Sequence, residues 1–153
     1  MKNVCLGLCA VALLTVGVIA ADEKKEEKAV AKCPVSGKDI NKDAAVDYKG
    51  AKVYFCCPGC PGAFKKDTAK YASKANHQLV FTGQAEQEKC PLTGGKLNDQ
   101  TTVEVSGVDV TFCCNGCKGK ATKKSGDDQV DLVFNDKAFE KGFKVAKADD
   151  DDE

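Results

Sequence analysis

Ten cysteines occur in 153 residues, and eight of them fall at spacings that can bring thiols together. Cys33, Cys56, Cys57 and Cys60 form one cluster, and Cys90, Cys113, Cys114 and Cys117 form another. Each reads C-x22-C-x3-C, with one further cysteine directly after the middle position. Thiolates are the ligands of soft cations. A chain that returns Cys33 beside Cys56 and Cys60, and Cys90 beside Cys113 and Cys117, would offer three sulfurs at about 2.3 Å from a Zn(II) ion. A tetrahedral ion would then lack one ligand. The candidates are Cys57 and Cys114, a solvent molecule, or, in the first cluster, His77, the chain's one histidine. Consecutive residues of a strand point in opposite directions, so Cys56 and Cys57 can share an ion only if the strand ends there. Cys60 is expected at the start of a helix, where the positive dipole end lowers a thiol's pKa.

The elements that position these thiols are legible because the chain repeats itself. Cys33-Pro34-Val35-Ser36-Gly37 recurs as Cys90-Pro91-Leu92-Thr93-Gly94, and Phe55-Cys56-Cys57-Pro58-Gly59-Cys60 as Phe112-Cys113-Cys114-Asn115-Gly116-Cys117, both 57 residues later. Without a gap, 12 of 28 positions are identical between 33–60 and 90–117, too many for chance. Alternation predicts a hairpin in each copy: Val46 and Tyr48, a turn at Gly50, then Ala51, Val53 and Phe55 on one face; Val103 and Val105, a turn at Gly107, then Val108, Val110 and Phe112. Pro61 suits a first helical position, and Phe64, Thr68, Tyr71, Ala72 and Ala75 keep helical spacing, which predicts a helix over about 61–75. Its counterpart at 118–128 has no large apolar residue. Short strands are predicted at 78–81 and 130–134, and a terminal helix over 136–146, carrying Phe139 and Phe143 into the space left by the weaker second copy.

The fold class is therefore α+β: two small tandem treble-clef-like cysteine fingers, each a β-hairpin, a Cys turn, a helix and a short strand. Residues 1–21 read as a signal peptide, with an uncharged run from Val4 to Ala21 and small residues at its exit. A charged spacer (22–32), the first finger (33–82), a polar linker (83–89), the second finger with its terminal helix (90–147) and an acidic tail (148–153) follow. Cleavage would remove Cys5 and Cys9, leave no stable membrane span and place the chain in a periplasmic or secreted compartment. All 23 basic residues are Lys and are matched by 23 acidic ones, which excludes a phosphate-reading surface built on excess charge and guanidinium forks.

Cys-Pro-x-x-Gly, then Lys-Gly-x-x-Val-Tyr-Phe-Cys-Cys-Pro-Gly-Cys, then a helix opening with Phe, resembles the YHS/TRASH family of metal-binding fingers, which occur alone and attached to heavy-metal transporters and sensors. The resemblance covers nearly all of 33–75 and, less well, 90–117. It implies Cys33, Cys56, Cys60, Cys90, Cys113 and Cys117 as metal ligands. Many relatives carry a Cys where this chain has Ser36 and Thr93, so the site is either three-thiolate or completed by Cys57 and Cys114. Expected cofactors are Zn(II) or Cu(I), and expected partners are the metal ion and a metal transporter or other extracytoplasmic protein, without nucleic acid. No nucleophile, acid/base pair or other catalytic set is marked, so the chain reads as a non-enzymatic metal-binding protein for trafficking, buffering or resistance. Two rivals stand beside this: a metal- or disulfide-stapled interaction module, since small lobes need staples, and thiol redox chemistry at Cys57-Pro58-Gly59-Cys60.

Overall fold

The computed structural model of the protein describes residues 30–146. The expected signal peptide, most of the charged spacer and the acidic tail lie outside the described residues.

Each finger opens with the hairpin that its alternation predicts. In the first, β1 (Asn41–Tyr48) pairs antiparallel with β2 (Ala51–Phe55), Val46 opposite Val53, with an irregularity in register between Asn41 and Ala45. Lys49 and Gly50 turn the chain with φ of 55° and 84°. Two successive positive φ values match the right-handed twist of the strands, and the Gly takes the second at no steric cost. β2 buries Ala51, Val53 and Phe55 and exposes Lys52.

The chain then enters α1 (Cys60–Lys66), with Pro in its first turn, and α2 (Thr68–Phe81). Asp67 separates them: its backbone leaves the helical region and its carboxylate accepts from Lys70 N at 3.2 Å, capping α2. The single helix expected over 61–75 is thus two, and the strand expected at 78–81 is the last turn of α2. A four-residue apolar run cannot by itself distinguish a buried strand from a buried helical turn. Here Gln78 and Leu79 face the core as part of the helical stripe that includes Ala72 and Ala75.

Past α2, β3 (Ala85–Gln87) occupies the segment read as a polar linker. A single 3-10 turn (Asp99–Thr101) leads into the second hairpin, β4 (Thr102–Val105) and β5 (Val108–Thr111), which turns at Ser106 and Gly107 with φ of 50° and 85°. α3 (Asn115–Thr122) forms although its sequence is apolar-poor, burying only Cys117 and Ala121. α4 (Gly126–Phe134) replaces the strand expected at 130–134. The terminal helix is shorter than expected: α5 (Asp136–Gly142) gives way to β6 (Phe143–Val145), which pairs antiparallel with β3. Gly142 permits the close approach of the chain at 89–91, because a Cβ there would stand 2.8 Å from Pro91 Cα and 2.9 Å from Lys89 O.

One core runs through both fingers, with Phe55, Phe64, Phe112, Phe134, Leu79 and Val110 among its fully buried side chains. Phe64 packs against Phe55 and edge-on against Tyr48, each at 5.4 Å between ring centroids. Ala121 stands where the repeat would put a second Phe64. Phe134, Phe143 and Phe139 stack in sequence at 5.2 and 5.5 Å.

The fingers are locked reciprocally. The hairpin tip of the first reaches the second, where Asp136 Oδ1 accepts from Tyr48 OH (3.2 Å), Lys49 Nζ (2.8 Å) and Asn76 Nδ2 (3.0 Å). The hairpin tip of the second meets α2 of the first, where His77 Nε2 lies 3.2 Å from Val105 O. Lys74 pairs with Asp127 at 2.7 Å between α2 and α4.

Glutamines satisfy the outer edges of the hairpins. Gln78 accepts from Tyr54 N (2.6 Å) and donates to Tyr54 O (2.9 Å) and Lys32 O (2.8 Å). In the second finger Gln87 does the same for Thr111 N (2.9 Å), Thr111 O (2.6 Å) and Lys89 O (3.1 Å). Thr111 and Lys89 are the repeat counterparts of Tyr54 and Lys32, so one hydrogen-bond scheme is served by a helix in one finger and by a strand in the other. These pairings occupy backbone groups that an edge strand otherwise leaves open. Among the described residues no helix is long and apolar enough to cross a membrane.

Candidate metal centre

Each candidate site is assembled from two pieces of chain. The first is a tight knuckle beginning at Cys33: Gly37 N donates to Cys33 O (2.8 Å), Cys33 N to Lys38 O (2.7 Å), and Gly37 takes φ of 71°. The same knuckle begins at Cys90, with Gly94 N to Cys90 O at 2.7 Å, Cys90 N to Gly95 O at 2.9 Å and Gly94 at φ 76°. The second piece is the strand end and the helix after it. β2 stops at Phe55, so Cys56 leaves the strand and Cys60 returns on the first turn of α1, where Cys60 N bonds Cys57 O at 3.2 Å.

The sulfurs of Cys33, Cys56 and Cys60 all lie within 4.8 Å of one another, as do those of Cys90, Cys113 and Cys117. Cys56 and Cys60 sulfurs are 3.6 Å apart, and Cys113 and Cys117 sulfurs 3.7 Å. Sulfurs held at about 2.3 Å around one ion stand roughly 3.7 Å or slightly more from each other, so the donor set fits a thiolate-bound cation in type and spacing. In both triads the first and last cysteines are buried and the middle one is half-buried. All eight cysteines of the described residues are free thiols.

The remaining candidates for a fourth ligand sit differently. Cys57 is exposed, reaching Cys60 at 3.5 Å without joining the mutual triad. Cys114 is exposed as well, and its nearest sulfur is that of Cys113 at 3.7 Å. His77 lines a crevice of about 220 Å³ that also touches Cys33, but its ring is committed elsewhere. Nε2 is bonded to Val105 O, and the ring packs edge-on to Phe134 at 5.0 Å. Burial holds the His77 pKa below its usual value, against the pull of the Val105 carbonyl. Its role is to join the fingers.

The structure adds a hydroxyl to each site. Ser36 Oγ lies 3.1 Å from Cys56 Sγ, and Thr93 Oγ1 lies 3.2 Å from Cys113 Sγ. Comparison of the copies contains the signal: a hydroxyl persists three residues after the first cysteine, as Ser36 and Thr93, while Val35 becomes Leu92 and Lys38 becomes Gly95.

Thiol acidity is divided within each triad. Burial acts to raise the Cys33 pKa, yet the Ser36 hydroxyl and the backbone N–H groups of Cys56, Ser36 and Val35 outweigh it and bring the thiol down to about 7. Cys90 is likewise brought to about 7 against burial, by Thr93 and the backbone of Cys113, Leu92 and Thr93. Cys60 and Cys117 move the other way, to about 12, through burial first and then through hydrogen bonds and charge from the neighbouring sulfurs. The expected lowering at Cys60 by a helix dipole is therefore reversed, because desolvation and a neighbouring thiolate exceed what one short helix supplies.

Among the known families, the YHS domain model matches residues 31–75. No curated protein and no solved structure was found to match the chain. The match ends at the first finger, and the second is tied to it by the internal repeat and by the same knuckle, triad and hydroxyl. Residues 31–75, where Cys33, Cys56 and Cys60 are gathered in one place, are thus similar to a YHS domain.

Proposed function

We propose that the protein is a non-enzymatic metal-binding protein that takes one soft cation, Zn(II) or Cu(I), on Cys33, Cys56 and Cys60 and a second on Cys90, Cys113 and Cys117. The observation that carries this reading is the duplication of one three-sulfur geometry, with the same knuckle and hydroxyl partners, in two fingers whose other residues have diverged. A core needs no such constraint, whereas coordination does. Exposed Cys57 and Cys114, beside half-buried Cys56 and Cys113, leave each site approachable by a thiol of a donor or acceptor, which suits exchange of metal with a transporter or another extracytoplasmic protein. Trafficking, buffering or resistance in a periplasmic or secreted setting is the corresponding role.

The continuous aromatic core favours this over a purely structural staple, because the fingers have apolar area to hold them together without the ion. The test is metal stoichiometry and thiol protection on the purified, reduced chain. Two equivalents of metal per chain, with the six triad thiols shielded from alkylation, is the expected result. No bound metal, with the thiols closing into disulfides on air oxidation, would sink the proposal in favour of a disulfide-stapled module.

A further inference from the structure

The hydroxyls of Ser36 and Thr93 carry more than a packing role. Ser36 Oγ accepts from Lys38 N at 3.3 Å while standing 3.1 Å from Cys56 Sγ; Thr93 Oγ1 accepts from Gly95 N at 3.3 Å while standing 3.2 Å from Cys113 Sγ. Once Cys56 and Cys113 bind metal as thiolates their sulfurs carry no hydrogen, so in each pair the hydroxyl is the group that can donate. Each hydroxyl thus acts as a donor to a ligand thiolate rather than as a metal ligand, a role that outer partners of metal sites use to set ligand basicity. A neutral hydroxyl is also a hard oxygen, poorly matched to a soft ion. The position across from Cys56 is filled by a group that supports three thiolates and supplies no fourth. Cys57 and Cys114 are exposed and lie outside the mutual triads.

Resting on the metal-binding reading above, we propose that Ser36 and Thr93 make the two fingers selective for a soft cation satisfied by three thiolates, represented by Cu(I), over Zn(II), which takes four ligands in closed tetrahedral sites. Three thiolates around a monovalent ion carry excess negative charge, and a hydrogen bond to one sulfur disperses it. For Zn(II) the same arrangement leaves a corner to solvent.

The full-length reduced chain is titrated with Cu(I) against a chromophoric Cu(I) chelator, and separately with Zn(II) and with Co(II) as its spectroscopic stand-in. The expected outcome is two tightly held Cu(I) per chain and weak Co(II) binding without the intense visible bands of a four-thiolate tetrahedral site. Ser36→Ala with Thr93→Val should lower Cu(I) affinity about 10-fold, the low end of the loss that follows removal of an outer partner. Ser36→Cys with Thr93→Cys should raise Zn(II) and Co(II) affinity by at least about 10-fold and bring in the four-thiolate bands. Circular dichroism checks folding of each variant, and the alanine/valine pair decides the matter even if the cysteine pair misfolds. Wild-type protein showing four-thiolate Co(II) bands that vanish in Cys57→Ser/Cys114→Ser would overturn the selectivity while leaving metal binding intact. Binding of neither Cu(I) nor Zn(II) would overturn both.

Discussion

A thiol held at about 7 next to one held at about 12 makes the metal-free triad a proton-sharing group, with Cys33 as the acceptor and Cys60 as the holder. The two shifts act on folding stability with opposite sign around the ordinary cysteine value of 9.0. Lowered pKa values at Cys33 and Cys90 contribute stability that is present above pH 9 and lost as pH falls towards 7. Raised values at Cys60 and Cys117 leave stability intact below pH 9 and remove it as pH climbs towards 12. Reduced, metal-free protein should therefore show its highest unfolding midpoint, as far as the cysteines are concerned, near pH 9. Urea titrations between pH 6.5 and 10.5 check this, and a midpoint that falls steadily from pH 7 upward would refute it. Metal uptake must displace the proton on Cys60, so metal affinity should weaken as pH drops, with proton release seen in calorimetry run in buffers of different ionisation heat. At this scale the triads were legible in the sequence because ligand spacing is a local, repeated pattern. The acidity of Cys60 was not, since burial and a neighbouring charge depend on how distant segments close over the site.

Among the elements, the hairpins follow directly from alternation and from the Lys49-Gly50 and Ser106-Gly107 turns, where positive φ leaves little choice. The segments at 78–81 and 130–134 read as strands in the sequence because Leu-Val-Phe satisfies a strand and a buried helical turn equally well. What decides for the helix is Gln78, whose side chain must stand on α2 to reach both backbone groups of Tyr54. Gln78 is buried and its counterpart Gln87 only half-buried, so leaving their partners unsatisfied should differ in cost. Gln78→Ala is expected to destabilise by about 2–3 kcal/mol and Gln87→Ala by about 1 kcal/mol, measured by urea unfolding of the metal-free protein. Equal losses would show that the Gln78 bonds gain nothing from burial. Gly142→Ala should cost about 1–3 kcal/mol, because the added Cβ meets the backbone of Lys89 and Pro91 rather than a yielding side chain. The same collision bears on Cys90, which lies between Lys89 and Pro91, so this variant should also weaken metal binding at the second triad more than at the first.

Across the whole molecule, the exchange of hairpin tips makes the fingers one cooperative unit despite their separate sites. All three tyrosines, Tyr48, Tyr54 and Tyr71, belong to the first finger, and the chain has no Trp, so tyrosine fluorescence originates in that finger, with Tyr48 also touching Asp136 of the second. In a Cys33→Ser/Cys60→Ser variant, metal can load only the second triad. Its addition should nevertheless raise the thermal midpoint seen by tyrosine fluorescence as far as the midpoint seen by circular dichroism. Asp136→Ala, which removes the shared acceptor of Tyr48, Lys49 and Asn76, should separate the two midpoints. Unchanged coincidence in that variant would show the core alone couples the fingers. Sequence pattern could not reveal this union, because Asp136 and His77 look like ordinary surface residues until the partner finger is in place.

The pairing of β3 with β6 sets a schedule for the newly made chain. The strand at 85–87 is synthesised early but has no partner until 143–145 emerges, and Ala146 N then closes onto Gln84 O at 2.9 Å. Until 143–146 arrives, β3 keeps an open edge, and Phe134 lacks the ring of Phe143 stacked upon it. A nascent chain can fold its first hairpin and knuckle well before then, but it completes the β3–β6 pairing only once 143–146 has emerged. Loss of β6 is therefore a fault in the centre of the molecule, felt first as aggregation during biogenesis rather than as a trimmed edge.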